Sequence, residues 1–347
     1  MKYMVGYQWQ QSGALISEIL KNPDKIYEVY FSYGDEPSGR GGGATRSGVK
    51  KDDYITAQEK DLALLSSNGI KLNLLLNANC YGENSLSSDF LSATGDLIDY
   101  LKTKFNLTSV TTTSPVIARF IKENFDDIKT RASVNMEIGT VEGMQYLADV
   151  FDGYYFRREL NCDIAAVKKL KNWCDQNGKE LFMLANSGCL NYCSSRQFHD
   201  NLVAHEVEIG AKPNNVKFRS VCSSFLENPL QREWILKHLN FVRPEEMCLF
   251  ENYVTAAKLA TRISLNPSQI VGAYVGGNFS GNVLDLLEPN HAAAFYPYII
   301  DSDKLPANFN SFKATCDKNC EKCGYCKKVY NESKVKLDFG GIVDANK

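Results

Sequence analysis

The chain has 347 residues, 44% of them hydrophobic and 23% charged, with a formal net charge of −2. That balance supplies no general field for nucleic acid, although it leaves room for a local basic groove. No apolar run approaches the roughly 18 residues of a membrane span, and the start, MKYMVGYQWQQ, lacks the apolar core of a signal peptide, so a cytoplasmic protein is expected.

In a reducing compartment eleven cysteines argue for metal or redox chemistry over disulfides, and the odd count fits pairing poorly. The Asn-x-Ser/Thr matches at Asn106, Asn278 and Asn331 are then chance.

Short apolar runs alternate with amphipathic segments over the first two-thirds of the chain. Tyr3–Tyr7 reads as a strand, and Gly13–Leu20 as a helix with Ile16, Ile19 and Leu20 on one side. Ile26–Phe31 is a second strand. Asp52–Ser67 is a helix, opened by acidic residues and followed by Gly69. Lys71–Leu76 is a third strand that ends at Asn77, Asn79 and Cys80. Gly95–Lys104 reads as helical and Ser109–Thr112 as a strand. Ser114 and Pro115 then open a helix, serine as N-cap and proline in the first turn. Strands at Lys129–Val134 and Tyr154–Arg157 are followed by helices at Val141–Val150 and Asp163–Asp175. Glu180–Ala185 is the seventh strand, Val216–Ser220 a possible extra one, and Asn240–Arg243 the eighth.

Eight strand–helix units in about 250 residues predict an α/β fold of the (β/α)₈ barrel type. A doubly wound open sheet is the alternative, weakened by the lack of Gly-x-Gly-x-x-Gly at a strand–helix junction. In a barrel, functional groups gather on the loops after the strands. Cys80, Asn135, Glu159, Cys189, Cys193 and Arg243 all fall at or just past expected strand ends, which predicts one shared site. The barrel is expected over residues 1–265. After it the rhythm changes: Ile270–Tyr274, glycines 276, 277 and 281, and Val283–Leu287 read as a small appended element. Residues 266–347 form an expected C-terminal extension whose segment 315–330 is rich in cysteine.

That segment carries Cys316-x-x-x-Cys320-x-x-Cys323-x-x-Cys326 among lysines. Four thiols this close do not pack as a core. Ferredoxin-like ligand runs use such spacers, and zinc also accepts four thiolates, so an iron–sulfur cluster and a zinc ion both stay open here. The first three cysteines also have radical-SAM spacing, but those enzymes carry it after an early barrel strand.

A second constellation is Cys189, Cys193 and Cys222, with Cys80 as fourth ligand and Cys248 in competition for that place. A cluster needs about four thiolates converging from one face, and loops at one end of a barrel can supply them. The alternative is free, buried cysteines, as expected for Cys162 and Cys174. His199 and His205 are six apart and share no helix face, which speaks against a two-histidine zinc site. The stretch Tyr33–Gly48 follows the second strand. Backbone amides freed by Gly41, Gly42 and Gly43, flanked by Arg40 and Arg46, suit a carboxylate or phosphate, or simply a flexible loop.

Several stretches resemble the peptidase U32 family, the collagenase-like proteases. ASVNMEIGTVEGMQYL (residues 132–147) is similar to the family's strand–Asn–helix step, and FRRELNCDIA (156–165) to its Arg-Glu-Leu segment. NFVRPEEMCLFENYVTAAKLATR (240–262) resembles the block with a Lys-Ile-Glu-Gly-Arg strand, its Glu-Gly-Arg standing here as Val242-Arg243-Pro244. The turn at Cys189–Cys193 falls where the family places cluster ligands. The resemblance implies a barrel with a [4Fe-4S] cluster, and relatives that hydroxylate tRNA, rRNA or a quinone precursor without oxygen. The residues show no Gly-x-Ser-x-Gly, no zinc-protease motif and no obvious Cys–His dyad.

The expectation is therefore a cytoplasmic iron–sulfur barrel enzyme of redox type. Its barrel-top cluster would use Cys189, Cys193, Cys222 and Cys80. Arg243 and Glu159 would act on a substrate held by Arg40, Arg46 and Asn135. Cys316–Cys326 would carry an auxiliary cluster or zinc. A second reading is a binding or scaffold subunit with structural zinc, gripping a protein partner or a second copy; a third is a protease.

Overall fold

A computed structural model describes residues 1–40, 43–213, 216 and 218–338. Gly41 and Gly42 of the expected anion loop lie outside the described residues, as does Lys217 of the possible extra strand, whose other positions join no sheet.

Eight parallel strands close into a barrel: β1 (Tyr3–Gly6), β2 (Ile26–Phe31), β3 (Leu72–Leu76), β4 (Leu107–Thr112), β5 (Lys129–Ala132), β6 (Gly153–Tyr155), β7 (Glu180–Leu184) and β8 (Ala256–Leu259). The ring shuts where Tyr3 stands opposite Ala257 and Ala256 opposite Phe182. The first seven strands follow the sequence pattern; the eighth does not. Asn240–Arg243 is buried and extended, and the Val242 N–H donates to the Ala185 carbonyl at 2.8 Å. Several of its other backbone groups are taken by side chains. Asn310 donates to the Phe241 carbonyl at 2.7 Å and accepts from the Arg243 N–H at 2.8 Å. Pro244 then removes the next donor, so no ladder grows. The true closing strand is AAKL, disguised by a lysine in its middle.

Helices wrap the ring. The helix Pro267–Gly276, which the sequence pattern assigns to an appendage, packs on β1 and on the helix Ala14–Lys21 and completes the barrel's outer layer. Asn266 caps it, Pro267 opens it and Gly277 ends it at φ 71°, a left-handed turn that glycine takes without strain. The helix expected from Gly95 starts earlier, at Ser88, because the Ser87 hydroxyl accepts from the Phe90 N–H.

Period-two alternation decides what lies inside the ring. Ala256 and Ala260 face inward with Met4, Tyr30, Leu75, Tyr155 and Phe182. Lys258 lies between those two alanines and shares their face. One layer nearer the strand starts, Arg131 and Glu28 pair at 2.5 Å, and Asn73 donates to Glu28 at 2.6 Å.

The long β7–β8 connection leaves the strands' C-terminal end and builds a third core with the tail. Leu226, Leu236 and Phe241 from the connection pack with Leu284, Phe309 and Tyr330. A two-stranded antiparallel sheet, β9 (Tyr298–Ile300) and β10 (Lys334–Lys336), lies in the tail. Among the described residues no helix is long and apolar enough to cross a membrane.

Candidate functional site: a basic barrel mouth beside a cysteine cavity

Loops after the strands enclose a small cavity at the barrel mouth, of about 40 Å³. Arg40, Arg158, Lys258 and Arg262 line it with one carboxylate, Glu288. Arg40 Nε pairs with Glu288 at 3.0 Å, and the other Glu288 oxygen accepts from the Ile263 N–H at 2.9 Å. Asn135 lines the same cavity and accepts from Arg158 at 2.8 Å. Gly39 is fixed by close approach: a Cβ there would stand 2.8 Å from the Asn135 amide nitrogen. Arg262 donates to Ser32 and Ser38 at 2.9 and 2.8 Å.

Lys258 is 7% exposed, and its Nζ stands 3.8 Å from the centre of the Tyr30 ring and 5.1 Å from that of Tyr155. Among the described residues neither a hydrogen bond nor an ion pair holds this ammonium. Burial and the nearby positive charge of Arg262 pull its pKa down to about 7, against the opposing pull of Glu28. The ring faces favour the charged form as well, but a surface interaction with a π face is weaker than the loss of water around a buried ammonium.

A second cavity, of about 80 Å³, shares Arg40 and Arg262 with the first and adds Arg46, Trp9 and Tyr54. The structure thus brings Arg40 and Arg46 to one space. Arg46 pairs with Glu206 at 2.8 Å on the rim.

Glu159, an expected catalytic group, is buried and fully engaged. It accepts from Arg196 and from the Tyr192 N–H, each at 3.1 Å, and pairs with Arg157 at 3.1 Å. Burial raises its carboxyl pKa, but Arg196 and the Tyr192 N–H outweigh that and leave it lowered. Glu137 binds Arg196 and Arg158 at 2.7 and 2.8 Å, which links this network to the mouth. Arg243 stands before β8 rather than after it. Its guanidinium donates to the carbonyls of Pro306 and Ser302 at 3.0 and 3.2 Å, which makes it a clamp on the tail, away from the mouth cavity.

Cys316, Cys320, Cys323 and Cys326 line one cavity of about 310 Å³, together with Cys162, Glu159 and Tyr192. Cys162 is buried, as the sequence predicts, yet faces this space. Gly324, at φ 63°, turns the chain between Cys323 and Cys326. Burial pushes the Cys326 thiol up to about 11, despite Lys313 beside it. Lys237, Lys313 and Lys318 also line the cavity. Four thiols border one space, with cations beside them, and thiols are the donor type that a soft metal centre takes. Among the described residues, no three His, Cys, Asp or Glu side chains sit close enough to hold a single ion.

The other cysteines have separate surroundings. The Cys189 N–H donates to Ser187 Oγ at 3.3 Å, and its sulfur lies within the fields of Arg40 and Arg196. The Cys193 carbonyl accepts from the Arg196 N–H at 3.1 Å. Cys222 packs against the third core with its sulfur 3.5 Å from Ser220 Oγ. Cys248 is exposed and precedes β8.

Cys80 has a partner the sequence pattern hides. Its sulfur accepts from the Gly82 N–H at 3.4 Å, and the His205 ring lies against Gly82. A hydrogen bond with His205, then that of Gly82, lowers the Cys80 pKa; the same bond raises that of His205, whose Nδ1 is 3.0 Å from Glu208. The residues are 125 positions apart in the numbering, so spacing alone gives no signal of the dyad. His199 instead lies beside the Phe218 ring, 5.7 Å between centroids.

No protein-family model matches the chain, and no curated protein does. Among solved structures, that of "the U32 Peptidase Mk0906" is similar at 14% identity, with a TM-score of 0.53, covering 74% of this chain and 91% of that one. The chain shares its fold with a U32 peptidase. A complex structure of a GH113 beta-1,4-mannanase aligns over 79% of this chain and 98% of that one, at 10% identity and a TM-score of 0.38.

Proposed function

We propose that this chain is a barrel enzyme with an iron–sulfur centre in the tail's cysteine cavity, performing an oxygen-independent redox modification on a substrate held at the basic mouth. One observation carries the reading: four thiols from eleven consecutive residues line a cavity whose far wall is Glu159 and Tyr192 of the barrel loops. Cys316, Cys320, Cys323 and Cys326 would hold the centre. When bound, it would supply one-electron transfer or Lewis acidity. The chain's own groups do the rest. Lys313 is fixed by the Leu236 and Leu239 carbonyls, at 2.7 and 2.6 Å, and sets positive charge beside the thiols. Phe312 and Tyr325, with ring centroids 3.9 Å apart, give the space an apolar side. Arg40, Asn135 and Arg262 supply donors for an anionic substrate. A second centre at Cys189, Cys193 and Cys222 rests on the sequence pattern alone, since Cys222 packs against the third core.

The test is oxygen-free purification followed by iron, sulfide and zinc analysis and a visible spectrum. Iron with labile sulfide, lost in Cys320→Ser and Cys323→Ser, supports the reading. Zinc alone in the tail supports a structural or scaffold role instead. Absence of both iron and sulfide sinks the redox proposal.

A further inference from the structure

The barrel interior holds a lysine that the redox reading does not use. Lys258 sits on β8 between Ala256 and Ala260, inside a closed ring, and faces the mouth cavity. Arg262, four residues beyond it and past the strand's end, lines the same cavity. Glu288 is the cavity's carboxylate, and Arg40 and the Ile263 N–H already occupy both its oxygens. Glu28 is committed to Arg131 and Asn73, and Arg158 to Glu137 and Asn135. So, among the described residues, the buried Lys258 and the half-buried Arg262 are two cations without a carboxylate of their own. Buried positive charge left in that state is costly, and the usual resolution is a bound anion or loss of a proton.

We propose that this cavity binds a small 2-oxo acid, with Arg262 and Arg40 receiving its carboxylate and Lys258 forming an imine with its carbonyl carbon. A desolvated lysine beside another cation is the amine best prepared for this chemistry, because a large share of it is unprotonated near neutrality. The neutral amine adds to the carbonyl carbon. Both amine hydrogens leave with the carbonyl oxygen as water, and a C=N bond remains, so no oxidant or reductant enters the step. Size limits the ligand. A cavity of about 40 Å³ holds about three waters at ~10–15 Å³ each, which suits a two- or three-carbon acid and excludes a bulky one. The second cavity adjoins this one through Arg40 and Arg262. Tyr30 and Tyr155 hold the Lys258 chain from the sides, so the Nζ position is set before the ligand arrives.

The inference uses none of the cysteines, so protein purified in air is adequate for the test, and its failure leaves the iron–sulfur reading untouched. The full chain is incubated with glyoxylate or pyruvate, reduced with borohydride and mapped by peptide mass spectrometry. Reduced adduct at Lys258 is expected to form about tenfold or more faster than at any surface lysine, as its lowered pKa dictates. Lys258→Met should abolish that adduct while circular dichroism stays unchanged. Arg262→Gln should slow labelling by 2-oxo acids at least about tenfold, the order of one charge-assisted hydrogen bond, while labelling by neutral acetaldehyde persists. Adduct spread evenly over surface lysines with Lys258 unmodified in folded protein overturns the proposal. An equal fall for acid and aldehyde in Arg262→Gln overturns the carboxylate assignment.

Discussion

Glu159 and Arg196 meet at 3.1 Å, both almost fully buried, and their ion pair joins the turn after β6 to the loop after β7. Tyr192, on that loop, lines the cysteine cavity and donates its N–H to Glu159, so the pair holds one wall of that cavity. Removing one member of a buried pair leaves the other uncompensated. Glu159→Gln is expected to cost about 3 kcal/mol in urea unfolding near neutral pH. The folded Glu159 pKa lies below its unfolded value, so its stabilisation is present above the unfolded pKa and is lost as pH falls through the folded one. The gap between variant and wild type should therefore narrow in acid; a gap that stays constant down to about pH 2 would contradict the pairing.

The dyad of Cys80 and His205 gives a reactive thiol. The hydrogen bond from His205 favours the thiolate, which is the nucleophilic form. Cys80 should be alkylated by iodoacetamide at neutral pH well ahead of Cys174, which is buried and pushed up to about 12. His205→Ala should move the pH midpoint of Cys80 alkylation upward, read by mass spectrometry. An unchanged midpoint would remove the histidine from the account.

Lys258 carries a pH signature in stability as well as in chemistry. Its folded pKa, about 7, lies below that of the unfolded chain, so the folded state bears the full burden of the charge below that pH. The burden fades as pH rises from there toward the unfolded value. Lys258→Met should thus stabilise the protein more at about pH 6 than at about pH 9.5, by a difference of roughly 3 kcal/mol. Thermal melts at the two pH values check it. A gain that is larger at the alkaline pH would reverse the assignment.

Metal loading of the tail should release protons. Cys326, held up at about 11 by burial, is a thiol at neutral pH and must lose its proton to become a ligand. Adding iron or zinc to the metal-free chain in weak buffer should acidify the solution, and Cys326→Ser should reduce the release by about one proton per chain. Equal release from both proteins would place Cys326 outside the ligand set.

Arg243 is expected to matter for tail attachment. Arg243→Lys loses the forked contacts to the Ser302 and Pro306 carbonyls, worth about 2 kcal/mol for charge-assisted bonds in a buried place. Limited proteolysis should cut the variant's tail sooner. Unchanged cleavage would leave the clamp without weight.

Local patterning determined seven of the eight strands, the longer helices between the strands as far as β7 and the contiguous Cys316–Cys326 run, because period, caps and spacing are properties of neighbouring residues. It misplaced the eighth strand, since Asn240–Arg243 has the apolar look of a strand while AAKL hides its inward face behind a lysine. Only the closed ring reveals why that lysine belongs there: alternation turns it into the mouth, and closure removes the water that would otherwise hold its charge. Only the tertiary structure joins Cys80 to His205, Glu159 to Arg196, and Arg243 to the tail. Each of these partnerships spans loops that meet because parallel strands end on one rim, a proximity that no spacing along the chain encodes.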